Sequence, residues 1–180
     1  MAIVAYFGFL RFNELQNIKR KDIAIAIDHV AISIPKSKTD PYKKGSTTII
    51  SAGSTSHCPR KILMDYLGTI GLFLDKDSNR FIFQNLTSLN GSYSLSHGNV
   101  PITYGRAREE LLFHLRLLGI ETKPYGWHSF RRGGCTRAAN KGISERLLKK
   151  HGRWVTDISK DKYIMEDLVS RISVTQNLLV

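Results

Sequence analysis

His128 and Arg131 stand three residues apart in the stretch WHSFRRGGCTRAA, residues 127–139. That spacing puts two polar side chains on one side of a helix, where an imidazole and a guanidinium can close on one anion. The small residues that follow let such a helix approach a neighbour closely. A planar guanidinium meets two phosphate oxygens at once, and Arg11, in FGFLRFNEL, offers a second such fork. Tyr163, in SKDKYIMEDL, adds a phenol. A phenol titrates near about 10, so it attacks a phosphodiester only with help. Fixed donors must meet the charge gathering on the non-bridging oxygens, an acceptor must manage the phenol proton, and an acid must protonate the departing oxygen. Lys38 in PKSKTD and Trp154 in HGRW are further candidates, Trp154 nine residues before Tyr163.

The charge pattern points to the same class of partner. The 180 residues carry a formal net charge of +12, and 42% of them are apolar, which excludes a disordered basic tail. Between Lys123 and Tyr163 eleven basic residues face three acidic ones, so one segment holds most of the excess. Smaller clusters are Lys36 to Lys44 and Lys19-Arg20-Lys21. This is the footprint of a polyanion-binding protein. Two cysteines, Cys58 and Cys135, give no disulfide framework and suit a reducing, intracellular compartment. The opening MAIVAYFGFL lacks the marks of a secretory leader and is too short to span a bilayer, so we expect neither secretion nor a membrane. No metal is expected: His57-Cys58 is the one close pair among His57, Cys58, His128, Cys135 and His151, and adjacent residues suit one ion poorly.

The elements that must position these groups read as mainly α with a small antiparallel β-sheet. Residues 2–17 predict a helix with a corner near Gly8. Alternating Val30, Ile32 and Ile34 predict a strand within 29–40, and β-branched TTIIS at 47–51 a returning one, so that the hairpin between them carries the lysines. Pro59 opens a helix, and 87–101, rich in Ser, Asn and Gly, reads as a loop. Thr103 caps a helix that Gly119 stops, another runs from about 129 to 141, and Ser144 caps a third. Thr156 or Asp157 starts the last, with Ile158, Met165, Leu168 and Ile172 in periodic places. No linker or repeat divides the chain, so residues 1–180 are expected to form one domain.

In order and context, Arg11 with Glu14, Lys38, His128 to Arg131, Trp154 after Gly152, and Tyr163 resemble the catalytic domain of the tyrosine recombinases, the phage-integrase-like site-specific DNA recombinases. The resemblance runs from about residue 3 to about residue 170. It implies that domain's fold and site-specific recombination or integration of double-stranded DNA, as in mobile elements. Arg11 and Arg131 would clamp the scissile phosphate, His128 would hydrogen-bond it and take the phenol proton, and Lys38 would protonate the 5′-hydroxyl leaving group. Trp154 would contact the phosphate and pack the nucleophile helix. Tyr163 would form a 3′-phosphotyrosyl DNA intermediate, and Glu14 would brace the site. No metal or cofactor is implied. The family also implies tetramers on synapsed DNA, a free catalytic domain being monomeric, and an N-terminal core-binding domain expected to be absent here, since ten residues precede Arg11.

Some assignments stay open. Lys36, Lys43 and Lys44 lie beside Lys38 and are candidates for the DNA backbone, as are Arg132 and Arg153. Phe130 stands where the family usually has leucine. His151 is twelve residues before Tyr163 and reads as a helix-end histidine favoured by the dipole. The segment beyond Asp167 either docks on a neighbouring subunit or folds onto its own core. Two rival functions remain: a type IB topoisomerase-like nicking-closing enzyme, which uses a similar residue set, and a non-catalytic DNA-binding module, which has no need of a phenol at this place.

Overall fold

The computed structural model describes residues 1–35, 45–89, 92–95 and 98–176. The expected first helix breaks into α1, Ala2–Phe7, and α2, Phe12–Gln16, around a corner in which Phe9 takes a left-handed backbone (φ 47°). That corner aims Arg11 and Glu14 in one direction while burying Leu10 and Leu15 in another. A 3₁₀ turn, Arg20–Asp22, leads to a three-stranded antiparallel sheet of β1 (Ile23–Ile25), β2 (His29–Ile34) and β3 (Ser46–Ser51), with β2 central. The period of two buries Val30, Ile32 and Ile34 of β2 together with Thr48 and Ile50 of β3. Ile34 pairs with Ser46, so the expected hairpin forms, and its lysine-bearing connection lies outside the described residues.

Helix α3, Pro59–Thr69, starts at its proline, and the Cys58 sulfur accepts from Lys61 N at 3.5 Å and from Gly53 N at 3.2 Å. The segment read as a loop instead holds a second antiparallel pair, β4 (Leu86–Leu89) and β5 (Ser92–Leu95), tied by Thr87 Oγ1 to Ser94 Oγ at 3.0 Å. Thr87 and Ser94 bond across the ladder, and the sequence between the strands is Asn-Gly, a hairpin signal that the polar composition hid. Helix α4, Tyr104–Leu117, is capped by Thr103, whose hydroxyl accepts from Arg106 N, and Gly119 (φ 69°) ends it.

Three further helices build the site: α5 (Trp127–Asn140), α6 (Glu145–Gly152) and α7 (Asp157–Asp161); α8 (Leu168–Gln176) follows. The predicted continuous last helix is thus interrupted after α7. The Thr136 hydroxyl on α5 donates to the Tyr163 carbonyl at 2.8 Å and accepts from Met165 N at 3.2 Å, taking groups that a continuing helix would have used itself. A large apolar core joins α1, α3 and the sheet through Leu10, Ile18, Ile32, Leu67 and Ile82. A smaller one gathers Phe9, Cys135, Leu148 and Trp154, with Tyr163 against it. Arg20, counted by the sequence among phosphate-directed charge, is buried and donates to three carbonyls: Leu72 O (2.8 Å), Ile23 O (2.8 Å) and Phe73 O (3.1 Å). No helix among the described residues is long and apolar enough to cross a membrane.

Candidate active site

The site is organised around one buried carboxylate. Glu14 sits in the first turn of α2, where its Oε2 accepts the Arg11 backbone N–H at 2.8 Å and its Oε1 accepts Arg11 Nη1 at 3.0 Å. Arg153 Nη2 donates to the same Oε2 at 2.9 Å, and Arg131 Nη1 lies 3.8 Å from it. Three guanidinium groups therefore surround one negative charge, leaving an excess of positive charge at a spot shielded from water. Burial alone would push the Glu14 carboxyl up. Arg153, the Arg11 backbone N–H, and the charges of Arg11 and Arg131 outweigh it and hold the carboxyl below its ordinary value.

Arg131 enters from α5 and is 1% exposed. Its Nη2 donates to Gly152 O at 2.6 Å and its Nη1 to Phe9 O. Its guanidinium carbon lies 4.5 Å from the centre of the Trp154 ring and 5.1 Å from that of Tyr163, so the cation rests against two aromatic rings. The Nε is buried with no partner among the described residues. Burial, reinforced by repulsion from Arg11 and Arg153, brings Arg131 down to about 10, which still leaves it charged at neutral pH. Arg11 is the more open fork, its side chain 24% exposed.

Close packing makes this convergence possible. A β-carbon on Gly134 would collide with the Tyr6 carbonyl and lie 2.9 Å from Phe9 Cε1, so only glycine lets α5 approach the corner after α1. A β-carbon on Gly152 would fall inside the Trp154 ring. Trp154 is buried, with ring centres 5.3 Å from Tyr163 and 6.3 Å from Phe9. Tyr163 follows α7, its N–H donating to Lys160 O at 2.9 Å.

Arg11, Glu14, Arg131, Trp154 and Tyr163 are thus gathered in one place. His128 is one turn before Arg131 on α5 but exposed, lining a depression of about 510 Å³ with Tyr6, Tyr125, Ser129, Arg132 and Thr136. The two members of the pair read as gripping one anion thus differ in exposure, His128 open to solvent and Arg131 buried. Arg132 is exposed. Lys36, Lys38, Lys43 and Lys44 lie outside the described residues. Arg153 corrects its expected place at the DNA surface: its side chain is 6% exposed and turned inward, because Glu14, Phe9 O (2.9 Å), His151 O (2.9 Å) and the Thr48 hydroxyl supply its acceptors. His151 is likewise a packing residue, with Nε2 2.8 Å from Phe7 O and its ring edge-on to Phe9. Burial lowers its pKa despite that carbonyl, the opposite of the expected dipole effect. The sequence reading missed Thr136 as the anchor of the Tyr163 segment; a mid-helix threonine 27 residues away carries no local signal of such a bond.

The small antiparallel sheet and the helical body packed on it have the catalytic-domain fold of the tyrosine recombinases. Among solved structures, XerA recombinase superposes with a TM-score of 0.69 at 21% identity, covering 98% of this chain and 56% of that one. The XerH site-specific recombinase bound to difH substrate, in a pre-cleavage complex, gives 0.66 at 16% identity (96% and 44%). The Tn1549 transposon integrase in complex with transposon right end DNA gives 0.63 at 14% (99% and 58%). These likenesses establish the fold, and the chain spans about half the length of those proteins. No protein-family model and no curated protein matches the sequence.

Proposed function

We propose that this chain breaks and rejoins double-stranded DNA by metal-independent transesterification, in site-specific recombination or integration. The observation that carries the reading is the packing of Tyr163 and Trp154 against the buried Arg131 guanidinium, with Arg11 joined to it through Glu14. In this reading the Tyr163 Oη attacks phosphorus, and the new O–P bond forms as the bond to O5′ breaks. The phenol proton passes to His128 and a proton from Lys38 goes to the departing O5′, leaving a 3′-phosphotyrosyl link and a free 5′-hydroxyl. Attack by a 5′-hydroxyl reverses the exchange. Arg11 and Arg131 meet the charge on the non-bridging oxygens, a role for which fixed, water-shielded donors are most effective. Self-association on synapsed DNA belongs to the same proposal.

The test uses a labelled pool of randomised duplexes carrying a nick, so that cleavage releases a short strand and traps the covalent state. The protein should form an SDS-stable adduct, and Tyr163→Phe should abolish it while binding DNA as before. No adduct from the unaltered protein, or an adduct that persists in Tyr163→Phe, would overturn the reading.

A further inference from the structure

Arg153 occupies a position whose backbone favours a different residue. It follows the last turn of α6 with φ 58° and ψ 38°, the left-handed conformation in which helices most often place glycine. A long cation stands there against a local preference, and its contacts show what it reaches. One guanidinium spans the Phe9 corner (Gly8 O at 3.3 Å and Phe9 O), strand β3 (Thr48 Oγ1), its own helix end (His151 O) and Glu14.

The geometry at Glu14 gives that reach a consequence. Oε1 is taken by Arg11 at 3.0 Å. Oε2 accepts both the Arg11 N–H at 2.8 Å and Arg153 Nη2 at 2.9 Å, and Arg131 stands back at 3.8 Å from that same oxygen. Arg153 and Arg131 also both donate to the Phe9 carbonyl, so they share a second acceptor. We infer that Arg153 is a positioning residue: by occupying Glu14 Oε2 it keeps that carboxylate from capturing Arg131, and so leaves to an incoming phosphate the Arg131 N–H groups that Phe9 O and Gly152 O do not take, Nε among them. The inference rests on the strand-cleavage reading above. In it, Glu14 aligns Arg11 without neutralising Arg131, because a third arginine shares Oε2 with the Arg11 N–H.

A mere brace and a competitor for one carboxylate oxygen behave differently when that carboxylate is removed. Single-turnover cleavage and DNA affinity are measured for Arg153→Gln, Glu14→Gln and the double variant. Arg153→Gln should slow cleavage at least about tenfold with affinity held within about threefold, whereas in the Glu14→Gln background the same substitution should cost less than about twofold. Arg153→Lys, which keeps a cation beside Glu14, should retain most of the rate. Equal losses in both backgrounds would make Arg153 a brace and overturn the inference. A second measurement does not depend on cleavage. A crystal structure of Arg153→Gln should show Arg131 Nη1 closed from 3.8 Å onto Glu14 Oε2 at about 2.9 Å. A separation that stays unchanged overturns the inference. If the unaltered protein forms no adduct, the strand-cleavage reading fails, while this distance still decides whether Arg153 shields Arg131.

Discussion

Replacing Gly134 by alanine places a methyl carbon against the Tyr6 carbonyl, closer than real β-carbons come, and 2.9 Å from Phe9 Cε1. The carbonyl belongs to α1 and cannot swing aside, so relief requires α5 and α1 to separate by about 1 Å. Such overpacking costs about 3 kcal/mol, against which alanine recovers about 1 kcal/mol of helix propensity, for a net loss of about 2 kcal/mol. The neighbouring glycine supplies the control. A β-carbon on Gly133 would touch only the edge of the Tyr6 ring at 3.4 Å, an ordinary contact. Gly133→Ala should therefore keep the propensity gain and stabilise by about 0.5–1 kcal/mol. The two single-methyl changes, one residue apart, should differ by about 3 kcal/mol, or about 1.5 M in urea midpoint at a slope of about 2 kcal/mol per M. Urea unfolding followed by tryptophan fluorescence reads this directly, since Trp127 and Trp154 are both buried. Equal midpoints, or a more stable Gly134→Ala, would refute the argument that the close approach of α5 demands a glycine there.

Other outcomes follow from single features. Arg20→Met should lose about 3 kcal/mol in urea unfolding, because three carbonyls, two of them in buried hydrogen bonds, lose a charged donor; DNA affinity should be unchanged, in contrast to a phosphate-contacting arginine. Glu14 has a depressed folded-state pKa, so its contribution to stability is complete above its ordinary value of 4.5 and is lost as pH falls through the lower folded value. Thermal melts across the acid range should show Glu14→Gln with a shallower acid limb than the unaltered protein, and parallel curves would contradict the assignment. DNA binding should weaken steeply with salt. Arg132, Arg137, Lys141, Arg146 and Lys150 are exposed along α5 and α6. If each neutralises one phosphate, affinity falls about 500-fold between 50 and 200 mM salt, and a flat response in a filter-binding titration would show that this face is not the interface.

Local chemistry carried most of the fold legible in the sequence. Thr103 and Thr156 cap where hydroxyls at helix starts are expected to, with Thr156 Oγ1 accepting from Ser159 N at 3.3 Å. Val30, Ile32 and Ile34 bury as alternation requires, and Gly119 takes the left-handed turn that ends α4. What escaped was decided by partners far along the chain. Arg20 and Arg153 read as surface charge because arginine usually is, and only folding brings carbonyls 52 and 144 residues away to them. The break after α7 escaped for the same reason: its periodic apolar residues predict one helix, and the competing hydroxyl belongs to α5. Strands β4 and β5 were hidden by composition, since serine and asparagine are commoner in loops than in ladders. For the site, residue types and order pointed to one cluster around Arg11, Arg131 and Tyr163. They gave no sign that Arg131 would be buried while His128 is exposed.

The two hydrogen bonds of the Thr136 hydroxyl have a mechanical meaning. One hydroxyl grips the chain on both sides of Ile164, so the stretch bearing the phenol is riveted to the same helix that carries Arg131. A displacement of that backbone away from the guanidinium must shear both links or drag α5 along. Excursions of the phenol oxygen therefore come from torsion about the tyrosine side chain, a crank turning on an anchored axle.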